Sequence, residues 1–537
     1  MLFWGRRRAH AALVSSLPRL YLRRDLFQKH GEIVTKFVRA HPLAATLGAA
    51  AAARLVAVIW SQGFIHSDDY FDTVQVAYSW LVDGFWGEDG FLRWKNKLSP
   101  TIGRFPLYNL GLWALLKSCV AIGIQSLNEM MYLVRAAHAM LSLIPVWVTF
   151  RVTRMVSGFN RWAMLGGLMA GLHFATPFLG VRNLIEVVGG DVWMLVVLMF
   201  YLYRRDGRSR WIWLAGLAVG LAWMIRFQVA FAALPVPFVL WYEEKRLRPA
   251  LQFVTAVAVM LVLSGLVDLA LLGTFAGSTI ANLRMNVSLP ALYNTIPLLY
   301  LAILALYFIP PFSFLLAYLV VRPAFVARHR LLAFSSLSFL AFHMLQDNQQ
   351  ERFIFPILPA VMLAAVLAMW EKHRRDGYII RPRRLLVGTA IFAGMVNLAL
   401  LLPATVAYGH QGLIEPLKWF ERRDPGAVVA FVQPGIKRWV PIEYGGRDLS
   451  RRYIREWSDW AALRGDDPGC RSIDYFVLYP KQPSDLATLL DSVNAASGPM
   501  QLVFHQTPSW YDRALHRMNP DHNDLFEAFV YRRRGDG

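Results

Sequence analysis

The stretch LAATLGAAAAARLVAVIW, residues 43–60, holds a single charged side chain, Arg54. A helix of that length is about 27 Å long at 1.5 Å per residue, which is close to the thickness of the hydrocarbon core of a bilayer. A long basic segment precedes the run, and no small-residue cleavage site follows it. We therefore expect a retained membrane anchor, preceded by a cytoplasmic segment at 1–40.

The composition of the whole chain agrees with a membrane protein. Its 537 residues are 56% hydrophobic and 17% charged, against ~25% charged residues in an average soluble protein. That is enough apolar sequence for roughly a dozen crossings of about 20 residues each. Cys119 and Cys470 are the two cysteines, so a disulfide framework is not expected. The sequence predicts an all-α polytopic membrane protein.

Apolar runs between helix breakers mark the candidate crossings. They are 41–61, 106–124, 131–150, 162–180, 187–203, 211–225, 228–242, 251–273, 297–321, 331–345, 353–370 and 386–407. The basic segments fall on one face if the crossings alternate, which makes that face cytoplasmic. They are 151–161, 204–210, 243–250, 322–330 and 371–384. The net charge of +20 thus belongs to cytoplasmic loops, and no nucleic-acid motif accompanies it.

The alternation contains one conflict, which concerns residues 62–105. Counted from the basic N-terminus these residues are external, whereas counted back from the later loops they are cytoplasmic. Either the segment 106–124 is a re-entrant or interfacial element, or one crossing has been missed. We predict eleven or thirteen spans within a membrane domain at 41–407, with residues 62–105 as a large external first loop.

The last part of the chain has the composition of a soluble domain. The apolar runs Ala427–Val432, Tyr475–Tyr479 and Gln501–His505 alternate with Pro, Gly and Asp clusters, and residues 484–496 favour a helix. These features predict a small external α/β domain at 408–537.

The loop after the first crossing contains FIHSDDYFD, residues 64–72. Asp68, Asp69 and Asp72 place three carboxylates at the predicted membrane edge, close to His66. Adjacent carboxylates suit a general base that deprotonates a hydroxyl, or a ligand pair for a divalent cation. A solvated loop with Asp68 as a helix N-cap is the alternative interpretation.

Two further polar clusters lie at predicted outer membrane edges. The first is RNLIE at 182–186, where a buried arginine and glutamate are costly unless they are paired or functional, and Arg226 is a similar case. The second is QDNQQERF at 346–353, which ends at a predicted helix start. Arg352 can hold a phosphate there with bidentate geometry. A structural ion pair and a capped polar turn are the respective alternatives.

Together these motifs resemble glycosyltransferase family 22, whose GT-C enzymes use dolichyl-phosphate-mannose in N-glycan and GPI-anchor assembly. HSDDYF at 66–71 is similar to the family's His-Pro-Asp-Glu-type motif in the first luminal loop. NQQERF at 348–353 is similar to its His-Lys-Glu-x-Arg-Phe motif. RFPLY at 104–108 and RNLIE at 182–186 resemble the family's arginine positions, and the likeness extends over roughly 60–370.

The resemblance implies transfer of a sugar from a polyprenyl-phosphate-linked donor to a glycan or glycolipid acceptor, by an inverting single displacement at the non-cytoplasmic face. It implies Asp68 as the base, with Asp69 as second candidate and His66 in an orienting role. The implied donor-phosphate residues centre on one arginine, which a neighbouring glutamate fixes in place. They are Arg352, Glu351, Arg104, Gln350, Asn348 and Arg182.

Several points stay open at this stage. Ser67, Asp69, Asn348 and Gln349 depart from the family pattern, so mannose is a default donor sugar. No cofactor is assigned, and dependence on a divalent cation is undecided. The basic N-terminus and lack of a retention signal fit a bacterial inner-membrane relative with an undecaprenyl-type donor; a eukaryotic relative would lie in the ER membrane. A transporter or flippase of a lipid-linked saccharide, and a structural membrane subunit, are the alternatives.

Overall fold

The computed structural model describes most of the chain. The described residues are 35–86, 105–288, 298–346, 349–376, 383–433, 440–454, 473–520 and 523–534. The membrane domain is helical. Its helices are α1 (Pro42–Trp60), α2 (Gln75–Val82), α3 (Leu107–Ala121), α4 (Leu127–Leu141), α5 (Leu143–Ser157), α6 (Asn160–Leu172), α7 (Ala175–Leu179), α8 (Ile185–Asp206), α9 (Arg210–Ile225), α10 (Val236–Glu244), α11 (Leu247–Leu272), α12 (Gly277–Ser288), α13 (Leu299–Tyr307), α14 (Phe312–Val320), α15 (Pro323–Arg328), α16 (Arg330–Met344), α17 (Leu358–Asp376) and α18 (Arg383–Thr405).

Among the described residues, six helical segments are long and apolar enough to cross a membrane. Helices α13 and α14 pass the same test as a pair that is bent by 116°, which makes a seventh. Three shorter apolar helices, α3, α9 and α16, fall below the length required. The polytopic helical architecture is confirmed, whereas the count of eleven or thirteen spans stays a prediction.

Helix α3 explains the conflict in the alternation. The sequence treats 106–124 as a candidate crossing, but Leu112, Leu116 and Cys119 of this helix are buried in a core shared with Phe420 of the C-terminal domain. At 15 residues the helix is also shorter than the segments that could cross a membrane. The structure therefore favours the interfacial alternative for this segment over a missed crossing.

Helix α8 runs through the centre of the membrane domain. Its 22 residues give a length of about 33 Å, which matches the hydrocarbon core of a bilayer. Trp193 and Phe200 are buried in the main apolar core, which also includes residues of α16 and α17. The helix carries Glu186 in its first turn and ends at Gly207, whose φ of 66° places it in the left-handed region favoured by glycine.

The C-terminal domain contains a five-stranded sheet. Its strands are β1 (Val428–Val432), β2 (Ser450–Ile454), β3 (Tyr475–Leu478), β4 (Met500–Gln506) and β5 (Ala528–Arg533), in the spatial order β2-β1-β3-β5-β4. Strand β1 pairs parallel to β2 and β3, while β5 pairs antiparallel to β3 and β4. The helices are α19 (Gln411–Arg423), α20 (Asp485–Ser497) and α21 (Trp510–Met518). The predicted α/β composition is confirmed.

The domain is joined to the first loop through close backbone contact. Gly63 and Gly409 form an isolated β-bridge, and a Cβ at Gly63 would overlap the carbonyl oxygen of Gly409. The φ of Gly63 is 75°, so glycine suits both the close backbone approach and the left-handed conformation at this position. Tyr70 of the first loop shares one apolar core with Leu417 and Phe431 of the domain. The described part of the first loop, up to residue 86, and the C-terminal domain consequently pack as one unit.

Candidate active site

The acidic run of the first loop folds into a short, tightly held turn. The backbone N–H of His66 donates to the Asp69 carboxylate over 2.9 Å, and the hydroxyl of Thr73 donates to the Asp69 carbonyl oxygen. The turn continues into a π-helical segment, Tyr70–Val74, and then into α2. Such π-helical turns are frequent at functional sites. Asp69 is thereby buried, whereas the Asp68 side chain is 28% exposed.

Arg352 lies among the predicted acids of this turn. It belongs to a 3₁₀ segment, Glu351–Ile357, that leads into α17, so the predicted helix start is a 3₁₀ turn. One Nη of Arg352 lies 2.6 Å from an Asp68 carboxylate oxygen, and the other lies 3.7 Å from Asp69. The guanidinium side chain is 8% exposed. The predicted catalytic loop and the predicted phosphate-binding arginine therefore meet in the fold.

A third carboxylate, that of Glu186, completes the surroundings of Arg352. Its oxygen lies 3.9 Å from Nε of Arg352 and 3.1 Å from an Nη of Arg226. The cluster of Asp68, Asp69, Glu186, Arg226 and Arg352, which we call the charged cluster, has three carboxylates and two guanidinium groups. It carries one excess negative charge when every member is ionised.

The close approach of α8 to the 3₁₀ segment brings Glu186 to Arg352. Gly190 of α8 faces Pro356, and a Cβ at this glycine would lie 2.7 Å from the Pro356 Cα atom. Real Cβ atoms are not found at that distance from backbone atoms, so a larger residue would separate the two segments. The glycine one turn after Glu186 thus helps to place Arg352 within reach of the glutamate.

The electrostatic environment shifts the pKa values of the first-loop groups. Burial raises the pKa of Asp69 to about 7; the positive charge of Arg352 opposes this increase and the negative charge of Glu186 adds to it. Burial also lowers the pKa of His66, with Arg352 acting in the same direction. Glu351, whose oxygen lies 3.6 Å from the His66 ring, acts in the opposite direction. Asp69 therefore titrates near neutral pH.

The structure places the other predicted donor-phosphate residues differently. Glu351 approaches His66, whereas the acids that hold Arg352 are those of the charged cluster. The Gln350 backbone N–H donates to the Tyr300 hydroxyl over 3.2 Å. Arg104 and Asn348 lie outside the described residues.

Arg182 holds backbone segments together. One Nη donates to the carbonyl oxygens of Gln62 and Gly63, each over 2.6 Å. The other donates to the Ser61 hydroxyl over 2.8 Å and to the Ala407 carbonyl oxygen over 2.9 Å. These bonds join the end of α1 to the segment that enters the C-terminal domain. The predicted contact with a donor phosphate stays a prediction, and the geometry favours a supporting role.

Replacing Arg182 with methionine is expected to destabilise the protein by about 3 kcal/mol, since it leaves buried carbonyl groups without donors. The measurement is the thermal unfolding midpoint of the purified protein in detergent. The exposed Arg248 provides the matched control, Arg248→Met. Equal midpoints for the two variants would contradict the supporting role of Arg182.

Glu186 and Arg226 stand out in the sequence, but the family resemblance does not assign them to the site. Their signal was the presence of charged residues beside long apolar runs, which are costly to bury without partners. Over the described residues, no three His, Cys, Asp or Glu side chains converge in a manner that could hold a metal ion. Dependence on a divalent cation remains an alternative.

Solved structures with the same fold as this chain include two of one protein. ArnT from Cupriavidus metallidurans bound to undecaprenyl phosphate matches with a TM-score of 0.56 at 12% identity, covering 91% of this chain and 98% of that one. The apo form of the same ArnT matches with a TM-score of 0.58 at 12% identity, covering 92% and 98%. No curated protein matches the chain significantly in sequence.

The helical membrane domain with its associated α/β domain has the GT-C fold, and the chain is a membrane glycosyltransferase. The sequence model of the Alg9-like mannosyltransferase family matches residues 46–420. The chain belongs to that family. The match includes the charged cluster and ends within α19.

Proposed function

We propose that this protein transfers a sugar, by default mannose, from a polyprenyl-phosphate-linked donor to a glycan or glycolipid acceptor. The observation that carries the proposal is the contact between Asp68, a partly exposed carboxylate, and Arg352, a buried guanidinium. A base that receives a proton and a cation that receives a phosphate are the two groups required for such a displacement. Asp68 lies in the turn that follows α1, and Arg352 lies in the 3₁₀ segment that precedes α17, so two separate elements hold the two groups.

The transfer is a single displacement at the anomeric carbon. An acceptor hydroxyl oxygen forms the new bond to that carbon as the bond to the phosphate oxygen breaks, and the bonding electron pair leaves with the phosphate. Asp68 takes the hydroxyl proton, and Arg352 neutralises the charge that develops on the leaving phosphate. Attack opposite to the leaving group inverts the anomeric configuration.

Donor binding would exchange the partners of Arg352. The donor phosphate competes with Asp68 for the guanidinium, because both are anions suited to bidentate contact. Asp69 and Glu186 remain near the arginine and hold its position. The Asp68 carboxylate, once displaced, is available to the acceptor hydroxyl. The ion pair between Asp68 and Arg352, at 2.6 Å, thus occupies the base until the donor phosphate displaces it.

Helix α8 supports a site on the non-cytoplasmic face. Glu186 stands in its first turn, and Arg204 and Arg205 stand in its last turn. About 33 Å of helix separates the two ends, so they belong to opposite faces of a bilayer. Basic residues favour the cytoplasmic face, which supports an outer location for the charged cluster. The undecaprenyl phosphate bound to the similarly folded ArnT supports a lipid-phosphate donor for this protein as well.

Replacing Asp69 with asparagine is expected to remove the pH dependence of kcat/KM near neutrality. In the wild type, Asp69 ionises as the pH rises through about 7. The ionised Asp69 carboxylate then helps to hold Arg352 in place for the donor phosphate, so activity is expected to rise over the same interval. Rate profiles of the two proteins against pH provide the measurement; profiles with the same inflection would contradict this role of Asp69.

The raised pKa has the opposite consequence for stability. The folded protein holds the Asp69 proton more tightly than the unfolded chain does. The stabilisation is fully present below the ordinary pKa of 3.8 and is lost as the pH rises through about 7. Activity and stability are therefore expected to change in opposite directions with pH at this residue.

The proposal is tested with purified protein in liposomes. A panel of synthetic polyprenyl-phosphate sugars carrying a radiolabel is supplied together with octyl α-mannoside, and labelled glycoside and free polyprenyl phosphate are measured. Transfer from one donor would support the proposal and identify the sugar. Absence of transfer and of donor hydrolysis, together with movement of a lipid-linked saccharide across the bilayer, would favour the transporter alternative instead.

A further inference from the structure

A cavity of about 320 Å³ lies between the first loop and the C-terminal domain. Phe71, Gln75 and Ser79 line it from the first loop, and Glu443 and Arg451 line it from the domain. Its volume is at the lower end of the range of ~300–1,000 Å³ found for small-molecule sites. The cavity is separate from the charged cluster, and its walls come from two different parts of the chain.

One lining residue of the cavity follows the proposed base closely in the chain. Phe71 follows Asp68 by three residues, so roughly one helical turn, or about 5 Å of rise, separates them along the chain. Tyr70, which lies between Asp69 and Phe71, donates its hydroxyl to Glu443 over 2.9 Å. Gln75 donates its side-chain amide to the other oxygen of Glu443 over 2.6 Å. Through these two bonds, Glu443 fixes the position of the C-terminal-domain wall of the cavity relative to the loop that carries Asp68.

The side chains of the cavity suit a polyhydroxylated ligand. Arg447 and Arg451 are exposed donors, and Glu443 and Asp83 are carboxylate acceptors, so hydrogen-bonding groups of both kinds face the same space. Phe71 adds an aromatic face to this lining. Carboxylates oppose the binding of a simple anion, and the charged walls oppose the binding of a lipid chain. Hydroxyl groups both donate and accept hydrogen bonds, so they can pair with the arginine and the carboxylate side chains alike.

We propose that this cavity binds the saccharide portion of the acceptor and presents its hydroxyl to Asp68. The inference rests on the proposed function, because it names the acceptor subsite of the same reaction. It gives the C-terminal domain a specific task. The domain supplies Glu443, Arg447 and Arg451 and thereby selects the acceptor, while the membrane domain holds the donor phosphate.

The test uses the full-length protein with radiolabelled polyprenyl-phosphate-mannose as donor and octyl α-mannoside as acceptor. Arg451→Ala is expected to raise KM for the glycoside about tenfold and to change KM for the donor less than twofold. Ser79→Trp, which places a large ring in the cavity, is expected to abolish transfer to the glycoside. Arg452, the next residue of β2, does not line the cavity, so Arg452→Ala is the matched control with unchanged constants.

The outcomes separate this inference from the proposed function. Hydrolysis of the donor by the wild type, measured without a glycoside, reports the function alone. Donor hydrolysis with no saturable response to the glycoside would overturn the saccharide site and leave the function intact. Equal glycoside KM values for Arg451→Ala, Arg452→Ala and the wild type would also overturn it. Absence of donor hydrolysis and of transfer in the wild type would contradict both.

Discussion

Replacing Arg352 with alanine is expected to lower kcat/KM for sugar transfer by about a factor of 1,000. The donor phosphate loses the cation that neutralises its developing charge, and the carboxylates of Asp68, Asp69 and Glu186 lose the positive charge between them. KM for the donor is expected to rise as well, because the phosphate loses a contact in the ground state. Initial rates with purified protein at varied donor concentration provide the measurement.

The matched control for this substitution is Arg375→Ala. Arg375 is an exposed arginine near the other end of the same helical segment. Its replacement is expected to leave kcat/KM unchanged within about a factor of two, as is usual for a surface substitution. If both variants had the same activity, Arg352 would have no part in transfer.

Replacing Asp68 with asparagine is the second substitution for which a large effect is expected. Loss of a general base costs roughly 10²–10⁴ in rate, so kcat is expected to fall by about a factor of 1,000. Asparagine carries no charge and competes less well with the donor phosphate for Arg352. KM for the donor is therefore expected to stay the same or fall, in contrast to the Arg352 variant.

Asp72 supplies the control for Asp68, since it is the third acid of the same run. Asp72→Asn is expected to keep kcat within about a factor of two of the wild type, as is usual for a substitution outside the reacting groups. The assignment of the base would be wrong if kcat fell equally in the Asp68 and Asp72 variants, or if Asp68→Asn retained wild-type kcat.

The sequence was sufficient to predict the helical membrane architecture and the α/β domain. Long apolar runs indicate membrane helices directly, because few other structures pair all of their backbone polar groups inside a bilayer. The position of α3 was harder to predict, since its apolar residues suit either lipid or a protein core. Leu112 and Leu116 belong to an apolar core that also contains residues of the soluble domain, so this core connects distant parts of the chain.

The site could be predicted in its components but not in its assembly. Asp68 and Arg352 are 284 residues apart, and hydropathy does not determine which helix ends are neighbours. At the level of sequence, only the resemblance to a known family indicates that the two motifs belong to one site. Arg182 and Glu186 show what single motifs leave open: they are four residues apart, yet one binds backbone carbonyls and the other faces Arg352.

That difference has a local cause. Helix α8 begins at Ile185, so Arg182 precedes the helix and is not on the same helical face as Glu186. Spacing rules for neighbours on a helix do not apply across a helix start. The exact start of α8 was therefore needed to assign the two residues, and element boundaries are the least certain part of a sequence-based prediction.

The central claim is that Asp68 and Arg352 together transfer a sugar from a lipid phosphate. Its most direct test is the release of free polyprenyl phosphate, measured alongside labelled sugar transfer, by wild type, Asp68→Asn and Arg352→Ala inserted equally in liposomes. The account predicts one polyprenyl phosphate released per sugar transferred by the wild type, and neither product above background for the two variants. Transfer at the wild-type rate by either variant would contradict it.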